Sequence, residues 1–215
     1  LTDDNGDGVL GPGDTPDVVV VAYSGRKDQA WLVVLDGATG KELWSRDGFH
    51  AGGGVVVADV TAGPEPEILA FDSEQHVRCL SVSGATLWTT NLESPNTWPH
   101  ISVADLDGDD LPEVLADHLI IAGSSGVVVD KLDIDPSIRF RMITPVDLDG
   151  DGVQEMVLGD TVWDRQGERV FKMPLKGLYG HWSAIADADL DGVPEVVTVV
   201  DGQLAVHDRH GDERT

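Results

Sequence analysis

Short apolar runs, set off by clusters of glycine, aspartate and proline, fill this chain from end to end and read as β-strands. They recur in a fixed order. An acidic residue is followed by an unalternating apolar run: Val18–Tyr23, Ile68–Phe71, Val114–Ala116, Met156–Leu158 and Val196–Val200. The lack of alternation predicts strands buried on both faces. A second run then ends at a glycine turn of the kind that closes hairpins: Trp31–Leu35 before Asp36–Gly40, Val77–Val82 before Ser83 and Gly84, Leu119–Ala122 before Gly123–Gly126. Thr161–Trp163 and Leu204–His207 end likewise at Asp164–Gly167 and Asp208–Gly211. Third runs carry a late large apolar residue (Leu43-Trp44, Leu87-Trp88, Val127–Val129, Val170-Phe171). Fourth runs (Val55–Val57, Ile101–Val103, Met142–Thr144, Ser183–Ile185) lead into the next acidic stretch.

The acids before the first runs are Asp17, Glu67, Glu113, Glu155 and Glu195, separated by 50, 46, 42 and 40 residues. A period of that size, with four short strands in each repeat, predicts an all-β fold of four-stranded antiparallel blades, a β-propeller. The expected organisation is a single propeller domain over 1–215, with units at 1–51, 52–99, 100–140, 141–180 and 181–215. The first unit lacks the strand before its loop and the last is incomplete. Open blade edges invite aggregation, so these five units are expected to form part of a six- to eight-bladed ring completed by another segment or chain. The chain begins inside a motif, as a fragment or processed product would.

The acidic stretches share a second regularity. Asp147, Asp149, Asp151 and Glu155 hold positions one, three, five and nine of a nine-residue loop, with Gly150 and Gly152 at four and six. Glycine there suits a backbone that must turn sharply, and Val153 at position seven can offer its carbonyl. Asp105, Asp107, Asp109 and Glu113 repeat the spacing with Leu111 at seven, and Asp187, Asp189, Asp191 and Glu195 repeat it with Leu190 in place of the first glycine. Four carboxylates crowded on one short loop repel unless a hard divalent cation lies among them, and an oxygen-only donor set favours calcium. An expanded first loop offers Asp3, Asn5, Asp7, Val9 and the late acid Asp14. The stretch Asp59–Glu67 keeps only its first and ninth acids, with Thr61 and Gly63 between, and is expected to be metal-free. Three to four structural calcium ions follow.

Composition narrows the partners. The 215 residues carry a formal net charge of −25, which argues against nucleic acid and anionic membranes. No apolar run approaches the roughly 18 residues of a membrane span. The single cysteine, Cys79, has no internal disulfide partner and reads as a small core residue.

The phrase Ala-Asp-Leu-Asp-Gly-Asp that opens Ala104–Val114, varied in Val146–Val157 and Ala186–Val197, resembles the FG-GAP/VCBS repeats, the family of the integrin α-subunit propeller and of many bacterial surface proteins. The resemblance implies blades with calcium in an inter-strand loop at one rim. It makes Asp105, Asp107, Asp109 and Glu113, with their counterparts in the other two loops, the ligands, and adds the carbonyls of Leu111, Val153 and Val193. The Phe-Gly and Gly-Ala-Pro pairs that name the repeat are absent.

The segments entering the fourth strands hold His50, Trp98, His100, Arg141, His181 and Trp182. Equivalent positions in homologous units place them on one rim, where aromatic and basic groups suit a carbohydrate or peptide ligand; they serve equally as gap fillers and strand caps. Trp44, Trp88 and Trp163 read as inter-blade core. No nucleophile or phosphate-loop motif stands out. The expected function is a calcium-stabilised extracellular or cell-surface binding or adhesion module, with a carbohydrate-active propeller (lyase, hydrolase or lectin) or a structural domain of a larger surface assembly as alternatives.

Overall fold

The computed structural model describes residues 3–8, 11–25, 29–92, 100–135, 138, 141–174, 182–200 and 202–214. Among them all regular structure is β, in five antiparallel sheets. The first has three strands, β1 (Val18–Tyr23), β2 (Ala30–Leu35) and β3 (Glu42–Phe49). The second holds β4 (Val55–Ala58), β5 (Glu67–Phe71), β6 (Val77–Leu80) and β7 (Thr86–Thr90). The third holds β8 (Ile101–Ala104), β9 (Glu113–Ala116), β10 (Leu119–Ala122) and β11 (Val128–Lys131). The fourth holds β12 (Thr144–Val146), β13 (Glu155–Leu158), β14 (Thr161–Trp163) and β15 (Arg169–Lys172). The fifth holds β16 (Trp182–Ala186), β17 (Glu195–Val200), β18 (Gln203–His207) and β19 (Glu213–Arg214). Within every sheet, chain order is spatial order.

The chain packs as two compact units, Leu1–Pro95 with Gly123–Gly126, and Asn96–Ala122 with Val127–Thr215. In the first, Leu32, Val34, Phe49, Ile68, Ala70 and Leu80 form a buried cluster. Trp44, near the start of β3, donates from its indole nitrogen to the Val82 carbonyl at 2.8 Å and lies against Gly84. Trp88, at the middle of β7, does the same to the 123–126 turn: its nitrogen donates to the Gly123 carbonyl at 2.7 Å and its ring covers Gly126. A Cβ on Gly126 would sit 2.7 Å from the indole, and its φ of 73° is one that L side chains rarely adopt. In the second unit, one core cluster gathers Leu106, Leu115, Ile120, Ile143, Met156 and the fully buried Trp163, and another gathers Leu148, Val157, Val162, Met173 and Val196. The three tryptophans are therefore packing residues.

Two sequence expectations need correction. β5 and β9 are buried along their whole length, as unalternating runs should be, yet β1 is not: Val18, Val20 and Tyr23 are exposed. Among the described residues β1 pairs with β2 alone, whereas β5, β9, β13 and β17 are each paired on both edges. The run at Met142–Thr144 starts its strand at Thr144, not Met142. Its register sets Val146 opposite Glu155, and Pro145, lacking an N–H, is tolerated because β12 is an edge strand.

Candidate metal-binding loops

Each nine-residue acidic stretch is the connection between the first and second strands of its sheet, closed by one register pair. Ala104 faces Glu113, Val146 faces Glu155 and Ala186 faces Glu195. The ninth acid is thus the first residue of a core strand, and burial follows from that place.

The loop backbone wraps around its own carboxylates in one repeated scheme. Asp147 Oδ1 accepts from the Gly150 and Asp151 amides at 2.7 and 3.1 Å, and its Oδ2 from Gly152 at 3.0 Å. Asp105 accepts likewise from Gly108, Asp109 and Asp110, and Asp187 from Asp191 and Gly192. At position three, Asp107, Asp149 and Asp189 each accept from the amide two residues on. At position five, Asp109, Asp151 and Asp191 accept from Leu111, Val153 and Val193 at 2.7–2.8 Å. The ninth-position Oε2 accepts from the second residue's amide: Leu106 to Glu113, Leu148 to Glu155, Ala188 to Glu195. Leu106 and Leu148 are themselves buried, so side chain and amide both pin the loop to the core. Positions four and six take left-handed backbone whatever their residue: Gly150 and Gly152, but also Gly108 with Asp110 (φ 67°), and Leu190 (φ 63°) with Gly192. A leucine there carries strain that glycine avoids.

This wrapping converges oxygens. In each loop the acids at positions one, three and nine bring one carboxylate oxygen apiece to within 4.8 Å of the other two: Asp105, Asp107 and Glu113; Asp147, Asp149 and Glu155; Asp187, Asp189 and Glu195. Burial pushes the Glu113 and Glu155 carboxyls above the ordinary range; the Leu106 and Leu148 amides oppose that, and the three aspartates of each loop add to it. Glu195 is almost wholly enclosed, and its Oε1 has no hydrogen-bond partner. A buried carboxylate oxygen left in that condition is costly, and it faces two further carboxylates. Hard, all-oxygen donor sets of this kind fit a hard divalent cation.

The other two acidic loops differ. In the first, Asp3 accepts from the amides of Gly6, Asp7 and Gly8, and Asn5 from that of Asp7, so the wrap is the same. Asp14 spends its oxygens on the amides of Gly11, Asp4 and Asn5, and the Gly11 hydrogen bond is the chief cause holding its carboxyl below the usual range. Among the described residues, Asp3, Asp7 and Asp14 form no three-carboxylate cluster; Val9 lies outside those residues. Asp17, at the place of the ninth-position glutamates, accepts from the Gly37 amide at 3.0 Å. In Asp59–Glu67 the Thr61 hydroxyl donates to Glu67 Oε1 at 2.7 Å while the Val60 amide donates to Oε2 at 3.0 Å.

Of the aromatic and basic rim residues, His50 is described in the first unit and His100 and Arg141 in the second. In the first unit His50 is buried, its amide donating to the Phe71 carbonyl and its Nδ1 accepting from Gly52. In the second, His100 is half-buried at the entry to β8. Arg141 is buried there, with its guanidinium on both oxygens of Asp117 at 2.8–2.9 Å. Asp117 also meets His118 Nδ1 at 2.5 Å. Trp98, His181 and the Trp182 side chain lie outside the described residues. The sequence reading missed Asp117 and its counterparts Asp72, held by Arg78 and His76, and Asp160, beside Lys172. Their signal was an acid four or five residues after Glu67, Glu113 and Glu155, at the hairpin leaving the core strand.

No protein-family model and no curated protein sequence matches the chain. Solved structures do. The biofilm matrix protein Bap1 of V. cholerae is 25% identical with a TM-score of 0.81, over 99% of this chain and 37% of Bap1. The Bacillus licheniformis rhamnogalacturonan lyase PL11 is 15% identical with a TM-score of 0.67, over 96% of this chain and 46% of the lyase. The exotype rhamnogalacturonan lyase YesX is 17% identical with a TM-score of 0.65, over 90% of this chain and 43% of the lyase. The two lyases share the fold. The chain spans less than half the length of each of these proteins. Among the described residues no helix is long and apolar enough to cross a membrane.

Proposed function

We propose that the chain is a calcium-stabilised β-propeller module of a larger extracellular or cell-surface assembly, with carbohydrate as its ligand class. Its five sheets are read as successive blades of a six- to eight-bladed ring of the FG-GAP/VCBS type. The reading rests on one observation above all: the same carboxylate cluster recurs at the same connection of three successive sheets, each time with a glutamate of the core strand beneath it. Asp105, Asp107 and Glu113, Asp147, Asp149 and Glu155, and Asp187, Asp189 and Glu195 hold one ion each. Asp109, Asp151 and Asp191 complete the sets together with the carbonyls of Leu111, Val153 and Val193. The loop from Asp3 to Asp14 is a fourth, weaker site. Bound calcium neutralises the crowded acids, and its binding free energy becomes folding free energy. The likeness to a biofilm matrix protein over nearly the whole chain supports an assembly role outside the cell, and the rhamnogalacturonan lyases that share the fold are the support for a carbohydrate ligand.

The test is retention of the chain on immobilised polysaccharides (rhamnogalacturonan, alginate and a bacterial exopolysaccharide) in calcium and in EGTA. Retention in calcium that EGTA abolishes, with the polysaccharide left intact, is the expected result. Chain shortening with new unsaturated uronate ends would make the module a lyase. Failure to bind any of the three would remove carbohydrate from the proposal.

A further inference from the structure

We propose that Arg214 is the resident cation of the loop Asp187–Glu195, so that a divalent metal and the edge strand β19 compete for the same carboxylates. The inference rests on the reading of that loop as a calcium site and adds its regulation. Arg214 pairs with Val206 at the end of the chain's last hairpin. From there its guanidinium reaches across 25 residues of sequence to contact Asp189 Oδ2. The same nitrogen lies 4.0 Å from Asp191 Oδ2 and 3.9 Å from Glu195 Oε1, the enclosed oxygen that has no hydrogen-bond partner. One cationic nitrogen thus stands before three of the four acids that a metal would use. Among the described residues, no arginine or lysine pairs with the acids of the loops at 105–113 and 147–155.

A calcium ion sits within about 2.6 Å of its oxygens, so ion and guanidinium cannot share Asp189 Oδ2, and two cations that close repel. The displaced guanidinium has somewhere to go. A polar cavity of about 260 Å³ beside the loop is lined by Asp191, Val193, Asp208, Arg209, His210 and Arg214 itself. Binding is then an exchange. Arg214 lowers the apparent metal affinity of this loop by the fraction of time it occupies it. By reciprocity, metal loosens the hold of β19 on the fifth sheet. Of the three loops with matching acids, the one at 187–195 fills last as calcium rises.

The amides of Gly108, Gly150 and Gly192 report the three loops separately in a calcium titration followed by NMR on the full chain. In Arg214→Gln the Gly192 midpoint is expected to fall about tenfold in calcium, with Gly108 and Gly150 unmoved. Arg209→Gln removes the same charge from the same cavity but touches no loop carboxylate, so screening should hold its effect on Gly192 within about twofold. An unmoved Gly192 in Arg214→Gln, or an equal shift in Arg209→Gln, overturns the proposal while leaving the calcium reading intact. If none of the three glycines responds to calcium in any variant, the calcium reading falls and this inference with it.

Discussion

The connections Asp59–Glu67 and Asp147–Glu155 occupy the same place in the second and fourth sheets and solve one problem in two ways. Both end at a ninth-position glutamate on a core strand, and in both the buried second residue donates its amide to Oε2, Val60 to Glu67 and Leu148 to Glu155. They part at the remaining oxygen. Glu67 Oε1 takes the Thr61 hydroxyl at 2.7 Å. Glu155 instead faces Asp147 and Asp149, and burial, with a lesser contribution from their charges, raises its carboxyl. The backbones differ to match. Gly150 and Gly152 are left-handed, while Ala62 and Pro64 hold those positions in the other loop, where proline fixes φ near −65°. A neutral hydroxyl and a stiff turn do in one repeat what three aspartates and a cation are proposed to do in the other. Losing metal ligands therefore need not cost a repeat its fold, provided that the buried glutamate finds another donor.

Removing metal from the whole chain should have the largest effect, because it falls on every loop of the second kind. An ion at a hundredfold its Kd adds about 2.7 kcal/mol, and in chains of this size one kcal/mol moves the melting temperature by about 2–4 °C. Three ions thus predict a fall of more than about 10 °C in EGTA by calorimetry; an unchanged Tm would refute the contrast outright. Asp149→Ala isolates one loop. It should cost about 3 kcal/mol in calcium and little in EGTA, where removing one of the crowded charges offsets the lost amide contact. A penalty of equal size in both conditions would mean that Asp149 acts through its hydrogen bond to Asp151 alone.

Thr61→Val tests the other half of the contrast and should cost less. It removes the donor to Glu67 Oε1 and leaves a partly buried carboxylate oxygen unpaired, worth about 1–2 kcal/mol. Since no ion is involved, urea denaturation should give the same loss with calcium and with EGTA. A loss seen only in calcium would show that Asp59–Glu67 binds metal after all.

The parts of this molecule legible in the sequence are those encoded at short range. Turn glycines and apolar runs fixed the strands of the five sheets, because a hairpin's chemistry lies within a few residues. The acid spacing fixed which side chains face one another in each loop, and left-handed Asp110 and Leu190 show that the loop geometry persists even where glycine does not. What escaped depends on partners far along the chain. Arg141 reads as a free rim cation until Asp117, 24 residues earlier, accepts from its guanidinium on both oxygens. Arg214 reads as a trailing charge until its hairpin delivers it to Asp189. The four valines of β1 look like the core strands β5 and β9, yet Val18 and Val20 are exposed in a strand that, among the described residues, pairs on one edge.

Cys79 gives the smallest expected effect and the most local check. It lies in β6, opposite Leu69 of the strand that Glu67 begins, and is fully buried. Burial, with a contribution from the Glu67 charge, pushes its thiol up to about 12. Thiolate is the reactive form, so at neutral pH the folded chain should resist iodoacetamide almost completely. The second sheet owes nothing to calcium in the contrast drawn above. Stripping the metal, at a temperature well below the lowered Tm, should therefore leave that protection unchanged. Rapid labelling in EGTA, with the rest of the chain still folded by circular dichroism, would mean that the second sheet depends on the metal-bearing loops, and that Thr61 and Glu67 do not suffice to hold it.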